Sequence, residues 1–398
     1  MNYIFCLPLF SLLLLPVRSK IYFLETFNDS WKDRWVPSEK KGQDQGDFIL
    51  SPGKWFRDEE EDKGIKTSQD NKFYTLSSKF PSFSNEGKSL VLQFQVKHEQ
   101  TIDCGGGYLK LHPSNIDQKL LDGETPYHIM FGPDICGSLR KLHIIFNYNG
   151  RNLQRKNEIS FPSDEYSHLC TLLVHSNNTY EAFVDGESVA KGALEDDFDH
   201  LPPKFIDKVG DTKPADWDDQ EFIPDPTHVK PEGYDEVPEY IVDKSQAKPE
   251  DWNVEEDGEW EPPMIENPEY KGEWTQRTMK NPNYKGVWKP AQVSNPDYVP
   301  DEELYKYSDI GAVSIEIWQV KSGTIFDNIL VGDDMVEAEK YAESTFYPLA
   351  EKEKQLRDEH FEASKPPETF RDEPEGEGDD EDGDEEPEGD SSSEKDEL

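Results

Sequence analysis

The stretch DGEWEPPMIENPEYKGEW, residues 257–274, holds two copies of Gly-Glu-Trp fourteen residues apart, with Asn-Pro-Glu-Tyr between them. It is almost all proline, acid and aromatic, with almost nothing to bury. The spacing continues beyond it. Gly258, Gly272 and Gly286 each open a unit, and Trp260, Trp274 and Trp288 follow. Asn-Pro pairs fall at 267–268, 281–282 and 295–296, and Tyr270, Tyr284 and Tyr298 close the units. Upstream, a second motif also runs three times: Ile206 before KPADWDD, Ile223 before KPEGYDE and Ile241 before KPEDWNV. Fixed periods imply repeated structural units that contact only their neighbours. The order is three units of the first kind, then three of the second. A chain that runs out through the first set and returns through the second pairs third with first and first with third. Proline keeps such a backbone extended and limits regular sheet. Residues 201–299 are therefore expected to form a long proline-rich hairpin arm without a central core.

Sequence of a different kind flanks the arm. From residue 20 to 200, runs such as SLVLQFQVKHEQ, YHIMFG, KLHIIFNYNG and HLCTLLVHS are punctuated by Asn, Gly and Asp at intervals of ten or so. GGYLKLHP reads as one further strand. No long helical period interrupts them, which predicts a mostly β, two-sheet antiparallel sandwich. After residue 300, GAVSIEIWQV and GTIFDNILVG read as two more strands. Two strands alone are not stable, so residues 300–345 are expected to complete the first sandwich, and the arm becomes an insertion. Residues 334–364 read as helix, interrupted near Pro348. Segment 346–398 then runs from this helix into an acidic tail. Between Asp372 and Asp390, thirteen of nineteen residues are Asp or Glu and none is basic, so this tail is expected to be disordered.

The two ends and the charge set the compartment. Residues 1–19 form a short apolar run closing on Val17-Arg18-Ser19, which suits a secretory signal peptide cleaved before Lys20. The last four residues, Lys395-Asp396-Glu397-Leu398, are an endoplasmic-reticulum retrieval address read by the KDEL receptor. A soluble protein of the endoplasmic reticulum lumen is expected, monomeric and without a membrane span. A formal net charge of −43 argues against nucleic acid and anionic membrane as partners and favours multivalent cations. Once the signal peptide is gone, Cys104, Cys136 and Cys170 remain, enough for one disulfide and one spare thiol. Composition leaves the pairing open.

Candidate chemistry gathers in the sandwich. In CGGGYLK, alternation puts Tyr108 and Lys110 on one strand face and Leu109 and Leu111 on the other. If Cys104 pairs with Cys136, Tyr127 and Asp134 are drawn near them. In SIEIWQV, Glu316 and Trp318 share a face opposite Ile315 and Ile317. Aromatic rings beside a few charged hydrogen-bonding groups suit a sugar, whose apolar face stacks while its hydroxyls are satisfied. Catalysis ranks low. Glu316 has no acidic neighbour at 314 or 318 to supply the second carboxylate of a glycosidase. Phosphate-loop, nucleophile-elbow and metalloprotease motifs do not occur, and His143 and His168 read as structural. Calcium has two candidate modes: many weak sites on the tail, and a tight site combining Asp327 with carbonyls from DEEEDKG.

Taken together, KHEQTIDCGGGYLKLHP, IMFGPDICG, IIFNYNG, LEDDFDHLPP, DGEWEPPMIENPEYKGEW and IWQVKSGTIFDNIL resemble the calreticulin and calnexin family, over residues 22–335. The resemblance implies a legume-lectin-like sandwich that binds monoglucosylated high-mannose N-glycans on folding glycoproteins. It implies that Tyr108, Lys110, Tyr127 and Asp134 bind glucose, with Glu316 standing where the family carries Asp, and that Cys104 pairs with Cys136. It further implies a calcium site built from backbone carbonyls of Thr26, Glu61 and Lys63 with the Asp327 side chain. The arm resembles the family's P-domain, whose tip recruits disulfide-isomerase-family oxidoreductases; the matching tip residues are Glu255, Asp257, Glu259 and Trp260. Gly233-Tyr234 stands where the first repeat usually has Asp-Trp, which weakens the expected pairing there. A calcium-binding lectin chaperone is the expected function. The alternative is a non-lectin polypeptide chaperone and calcium-storage protein.

Overall fold

The structure, a computed structural model, describes residues 19–364. Residues 1–18 of the expected signal peptide, the acidic stretch and the terminal Lys-Asp-Glu-Leu lie outside those residues. The chain divides into two compact units, one running to His200 and resuming at Glu302, the other spanning Leu201–Asp301.

The first unit contains two eight-stranded sheets whose ladders are all antiparallel. One sheet runs in the order Glu187–Ala193, Thr179–Val184, Ser167–Val174, Leu90–His98, Thr324–Gly332, Gly64–Thr67 and Phe48–Ser51, with Ile21–Glu25 also paired to Thr324–Gly332. The other runs Arg151–Gln154, Leu139–Tyr148, Ile129–Cys136, Cys104–Gly106, Ile310–Gln319, Lys72–Phe83 and Val36–Pro37. Leu109–His112 joins it between Ile310–Gln319 and Ile129–Cys136. The two strands that follow the arm in sequence, Ile310–Gln319 and Thr324–Gly332, therefore lie inside the two sheets rather than at their edges. The core between the sheets is apolar and tightly interlocked. Phe94 meets Phe131 edge to face at 6.0 Å, and Ile65, Ile315 and Ile317 are fully buried.

Leu90–His98 lacks the alternation of a half-solvated strand: all nine residues are buried. The outer face of this sheet is covered by helices, which bury even its polar side chains: Gln93 Nε2 donates to the Ala338 carbonyl at 3.1 Å and Lys97 pairs with Glu353 at 2.5 Å. These helices are α1 (Met335–Ser344) and α2 (Phe346–Ala363). Ala338 of α1 packs on Val91, Leu173 and Leu330, while Ala342 and Phe346 pack on Leu169. The Asp334 side chain caps α1 by accepting the Val336 N–H at 2.8 Å. The helix break expected near Pro348 falls at Thr345 instead. Pro348 sits in the first turn of α2, where its missing N–H costs no intrahelical bond.

GGYLKLHP is likewise not one strand. It breaks at Gly107-Tyr108 between Cys104–Gly106 and Leu109–His112. There the Gly107 N–H donates to the Pro133 carbonyl at 2.7 Å, diverting the chain from its regular ladder.

The second unit is a succession of three short ladders. Phe205–Asp207 pairs with Gln292–Ser294, Phe222–Pro224 with Thr278–Lys280, and Tyr240–Val242 with Met264–Glu266. First repeats thus meet second repeats in reverse order. Each Asn of the Asn-Pro pairs spans the hairpin: Asn267, Asn281 and Asn295 donate from Nδ2 to the carbonyls of Pro238, Gln220 and Pro203 at 2.7–2.9 Å. The repeated tryptophans do the same, Trp217 Nε1 donating to the Gly286 carbonyl at 2.8 Å and Trp252 Nε1 to that of Gly258 at 3.0 Å. In the middle unit Tyr234 donates from its hydroxyl to the Lys271 carbonyl at 3.2 Å, a longer bond one residue out of step. Gly233 allows this by turning through a left-handed conformation, φ +79°.

Candidate functional site

The five residues expected to bind sugar lie on one patch of the second sheet. Register explains why. Lys110 stands opposite Ser314 on Ile310–Gln319, two residues from Glu316, and opposite Met130 on its other side. Gly106 stands opposite Asp134. The disulfide Cys104–Cys136 ties these same two strands together. Lys110 Nζ donates to Glu316 Oε2 at 2.7 Å, with both side chains buried. The same ammonium lies 5.0 Å from the Tyr127 ring centroid and 6.0 Å from that of Tyr108. Asp134 contacts His143 Nε2 at 3.2 Å, and the His143 ring stands edge-on to Tyr108 at 6.4 Å.

Electrostatics keep both phenols neutral. Burial, with the Glu316 carboxylate adding to it, pushes Tyr127 up to about 12. Burial raises Tyr108 further, helped by Glu316 and Asp134. Both hydroxyls remain proton donors, while Glu316 and Asp134 supply acceptors and Lys110 supplies donors. Such a set meets a polyhydroxylated ligand from several directions, with ring surface beside it.

Three contributors were not legible in the sequence. Gly132 has φ +136°, and a Cβ there would lie 2.6 Å from the Tyr108 Cα. This glycine creates the space that seats Tyr108. Gly123 faces Glu316, an added Cβ falling 3.6 Å from Oε1. His143, read as structural, sits between Tyr108 and Asp134. Its pairing opposite Gly132 depends on the turn between Cys136 and Leu139, which strand alternation alone does not locate.

Of the four residues expected to hold calcium, Asp327 lies on the other sheet, on a strand paired with Gly64–Thr67, which follows Lys63. Asp327 is buried, and a Cβ at Gly64 would lie 3.1 Å from its Cβ, so the Lys63–Gly64 backbone runs directly against it. The side chains of Glu61 and Lys63 turn to Arg57 and Glu60 at 2.8 and 2.6 Å, so they are engaged in ion pairs of their own. Thr26 precedes Phe27, whose φ of +40° is unusual for a bulky residue and re-aims the chain at this point. Glu25 fixes that turn by accepting the Phe27 N–H at 2.8 Å, and Arg34 and Trp35 hold its carboxylate in turn. Asp327 Oδ2 accepts from Asn328, but Oδ1 is buried without a hydrogen-bond partner among the described residues. Burial, with Asp62 and Glu25 nearby, pushes its carboxyl well above the usual carboxylate range. A buried, half-satisfied carboxylate is costly unless a cation meets it. The donor set of one carboxylate and backbone carbonyls is oxygen-only, which fits calcium. No cluster of three or more His, Cys, Asp or Glu with metal-binding arrangement occurs among the described residues, so side chains alone would not reveal this site.

At the turn of the arm, Val254–Asp257 forms a single helical turn capped by Asn253, whose side chain accepts the Glu255 N–H at 3.2 Å. Gly258 ends it at φ +79°. Glu255 and Glu259 are exposed and Trp260 is half-buried, with Asp257 on the same turn. No helix among the described residues is long and apolar enough to cross a membrane.

Comparison with known proteins agrees with this architecture. The Calreticulin family matches residues 23–258 and 254–331. Calreticulin of Dictyostelium discoideum is 51% identical over 350 residues, covering 87% of this chain and 82% of that protein. Calreticulin of Caenorhabditis elegans is 53% identical over 344 residues, covering 86% and 87%. Human calreticulin is 50% identical over 345 residues, covering 86% and 82%. The solved Trypanosoma cruzi calreticulin globular domain superposes with a TM-score of 0.62 at 34% identity, covering 86% of this chain and all of that one. Family match, relatives and fold lead to one conclusion: the chain belongs to the calreticulin family.

Proposed function

We propose that this protein is a calcium-binding lectin chaperone of the endoplasmic reticulum lumen. It holds monoglucosylated high-mannose N-glycans of folding glycoproteins on the Tyr108, Lys110, Tyr127, Asp134 and Glu316 patch. The observation that carries this reading is the Lys110–Glu316 pair at 2.7 Å beside two neutral tyrosine rings. That arrangement offers donors, acceptors and stacking surface, with the Glu316 carboxylate engaged by Lys110 and that of Asp134 by His143, and binding without turnover is expected. Calcium is held by Asp327 with the carbonyls of Thr26, Glu61 and Lys63, where it stabilises the sandwich, while the acidic tail stores it weakly. The turn that carries Glu255, Asp257, Glu259 and Trp260 recruits a disulfide-isomerase-family oxidoreductase. The terminal Lys-Asp-Glu-Leu engages the KDEL receptor.

A glycan array tests the central claim. Preference for glucose-capped over uncapped mannose glycans, lost in Tyr108→Ala, is the expected result. Equal binding of both glycans rejects the lectin reading. The second reading is a non-lectin chaperone and calcium store, favoured by Glu316, which engages Lys110 where the family carries the shorter Asp. Polypeptide holding that persists in Tyr108→Ala, with no glycan signal in either protein, would support it.

A further inference from the structure

A second cross-strand pair runs beside Lys110–Glu316. Alternation puts His112 on the same face of its strand as Lys110, and Ser314 on the same face as Glu316. Register places Ser314 opposite Lys110 and Ala312 opposite His112. Both pairs therefore cross on the diagonal: Lys110 reaches Glu316, and His112 Nε2 lies 2.8 Å from Ser314 Oγ. His112 and Ser314 are each 0% exposed, so neither can touch a ligand. The other ring nitrogen of His112, Nδ1, lies 2.8 Å from the Pro126 carbonyl.

Chemistry fixes the direction of both bonds. A carbonyl only accepts, so Nδ1 carries a proton. Burial pushes the imidazole down to about 4, although the Pro126 carbonyl favours its charged form. At neutral pH the ring is uncharged and Nε2 is bare, so the Ser314 hydroxyl donates to it. Ser314 thereby holds the tautomer that donates to Pro126. That carbonyl belongs to the peptide group whose nitrogen is Tyr127. On the other side of Tyr127, the His128 N–H donates to the Leu111 carbonyl at 2.7 Å, and His128 Nε2 donates to that of Asp309 at 2.7 Å. Tyr127 is thus pinned at both flanks, and the pin on its N-terminal side is the His112 side chain. The His112 ring also stands edge-on to that of Tyr127 at 6.4 Å.

We propose that His112, oriented by Ser314, is a positioning residue of the sugar patch: it sets the backbone from which Tyr127 presents its ring and hydroxyl to the glycan. This rests on the sugar-binding reading given above. The pair acts without contact to the ligand, by fixing one carbonyl.

Two substitutions in the full chain separate the two ring nitrogens. In His112→Asn the side-chain amide stands near the place of Nδ1 and still donates to Pro126. In His112→Gln it stands near the place of Nε2 and keeps only Ser314. Two quantities are read. One is affinity for a glucose-capped mannose glycan. The other is the Tyr127 ring signal in tyrosine-labelled protein without glycan, identified by its absence from Tyr127→Phe. His112→Gln should shift that signal and weaken binding about 10-fold, the worth of about one orienting hydrogen bond. His112→Asn should leave the signal in place and binding within about 3-fold of wild type. Melting should rank the two the opposite way, because Asn leaves the larger void. Ser314→Ala keeps the imidazole and should shift the signal as His112→Gln does, which carries the test if His112→Gln does not fold. A Tyr127 signal unmoved in either His112→Gln or Ser314→Ala overturns the positioning. Equal losses in His112→Asn and His112→Gln also overturn it, because the ring would then only fill space. A signal moved by His112→Gln and not by His112→Asn, in a chain that binds glucose-capped and uncapped glycans alike, supports the positioning and overturns the sugar-binding reading.

Discussion

Lys110→Met isolates the interaction on which the sugar patch is built. In the wild type the Lys110 and Glu316 side chains are 5% and 11% exposed and meet at 2.7 Å. Methionine fills a similar volume but removes the ammonium. Glu316 is then a buried carboxylate without another ion-pair partner among the described residues. Breaking a buried pair by removing one partner costs about 3–5 kcal/mol, because the remaining charge stays desolvated. Replacing both partners with apolar residues is close to neutral on the same grounds. Lys110→Met/Glu316→Leu should therefore recover most of the lost stability while still failing to bind glycan. Urea unfolding at fixed calcium is the assay, read by exchange protection of Ile310–Gln319 so that the arm does not contribute. A single-variant cost below about 1 kcal/mol at pH 7.5, or a double variant as unstable as the single one, would refute the argument.

Three further expectations concern separate parts of the molecule. His168 lies between Asp185 and Asp164 at 2.7 and 3.0 Å; burial opposes its charge, but these two carboxylates outweigh it and raise it to about 9. Its folded value exceeds the unfolded one near 6.5, so its contribution is complete below pH 6.5 and disappears as pH rises through 9. His168→Gln should flatten a stability loss of roughly 2–3 kcal/mol across that window, and an unaltered pH profile would count against the pairing. Gly132→Ala should cost several kcal/mol and abolish glycan binding, since its Cβ would meet the Tyr108 Cα at 2.6 Å; normal melting with normal binding would contradict the seat assigned to that glycine. Trp260→Ala should abolish oxidoreductase binding, measured by titration calorimetry, with glycan binding intact; loss of both would mean that the arm turn does not act independently.

Local pattern carried much of the fold. The fourteen-residue step of Gly, Trp, Asn-Pro and Tyr dictated a hairpin, because each Asn of the Asn-Pro pairs must reach across to the opposite leg to satisfy its hydrogen bonds. The antiparallel sandwich was legible from runs of β-branched and aromatic residues between turn formers, and the return of strand sequence after residue 300 marked the arm as an insertion. The helix break was legible only in part. A proline signals discontinuity, but it is tolerated in a first turn, so Pro348 follows the break instead of causing it.

Tertiary structure alone decided the rest. Whether Lys110 meets Glu316 depends on a register between strands 206 residues apart in sequence. The seat for Tyr108 depends on Gly132, a residue with no local signature in IMFGPDIC. The burial of Lys97, Glu99 and Glu353 depends on where α2 lands, which no period in the chain encodes. The physical reason is common to all three. Propensity and periodicity act over a few residues, where each side chain's own backbone sets its preference. Ion pairs, orphaned polar atoms and close backbone approaches are properties of surfaces brought together by packing, and they exist only once the sheets and helices have been placed against one another.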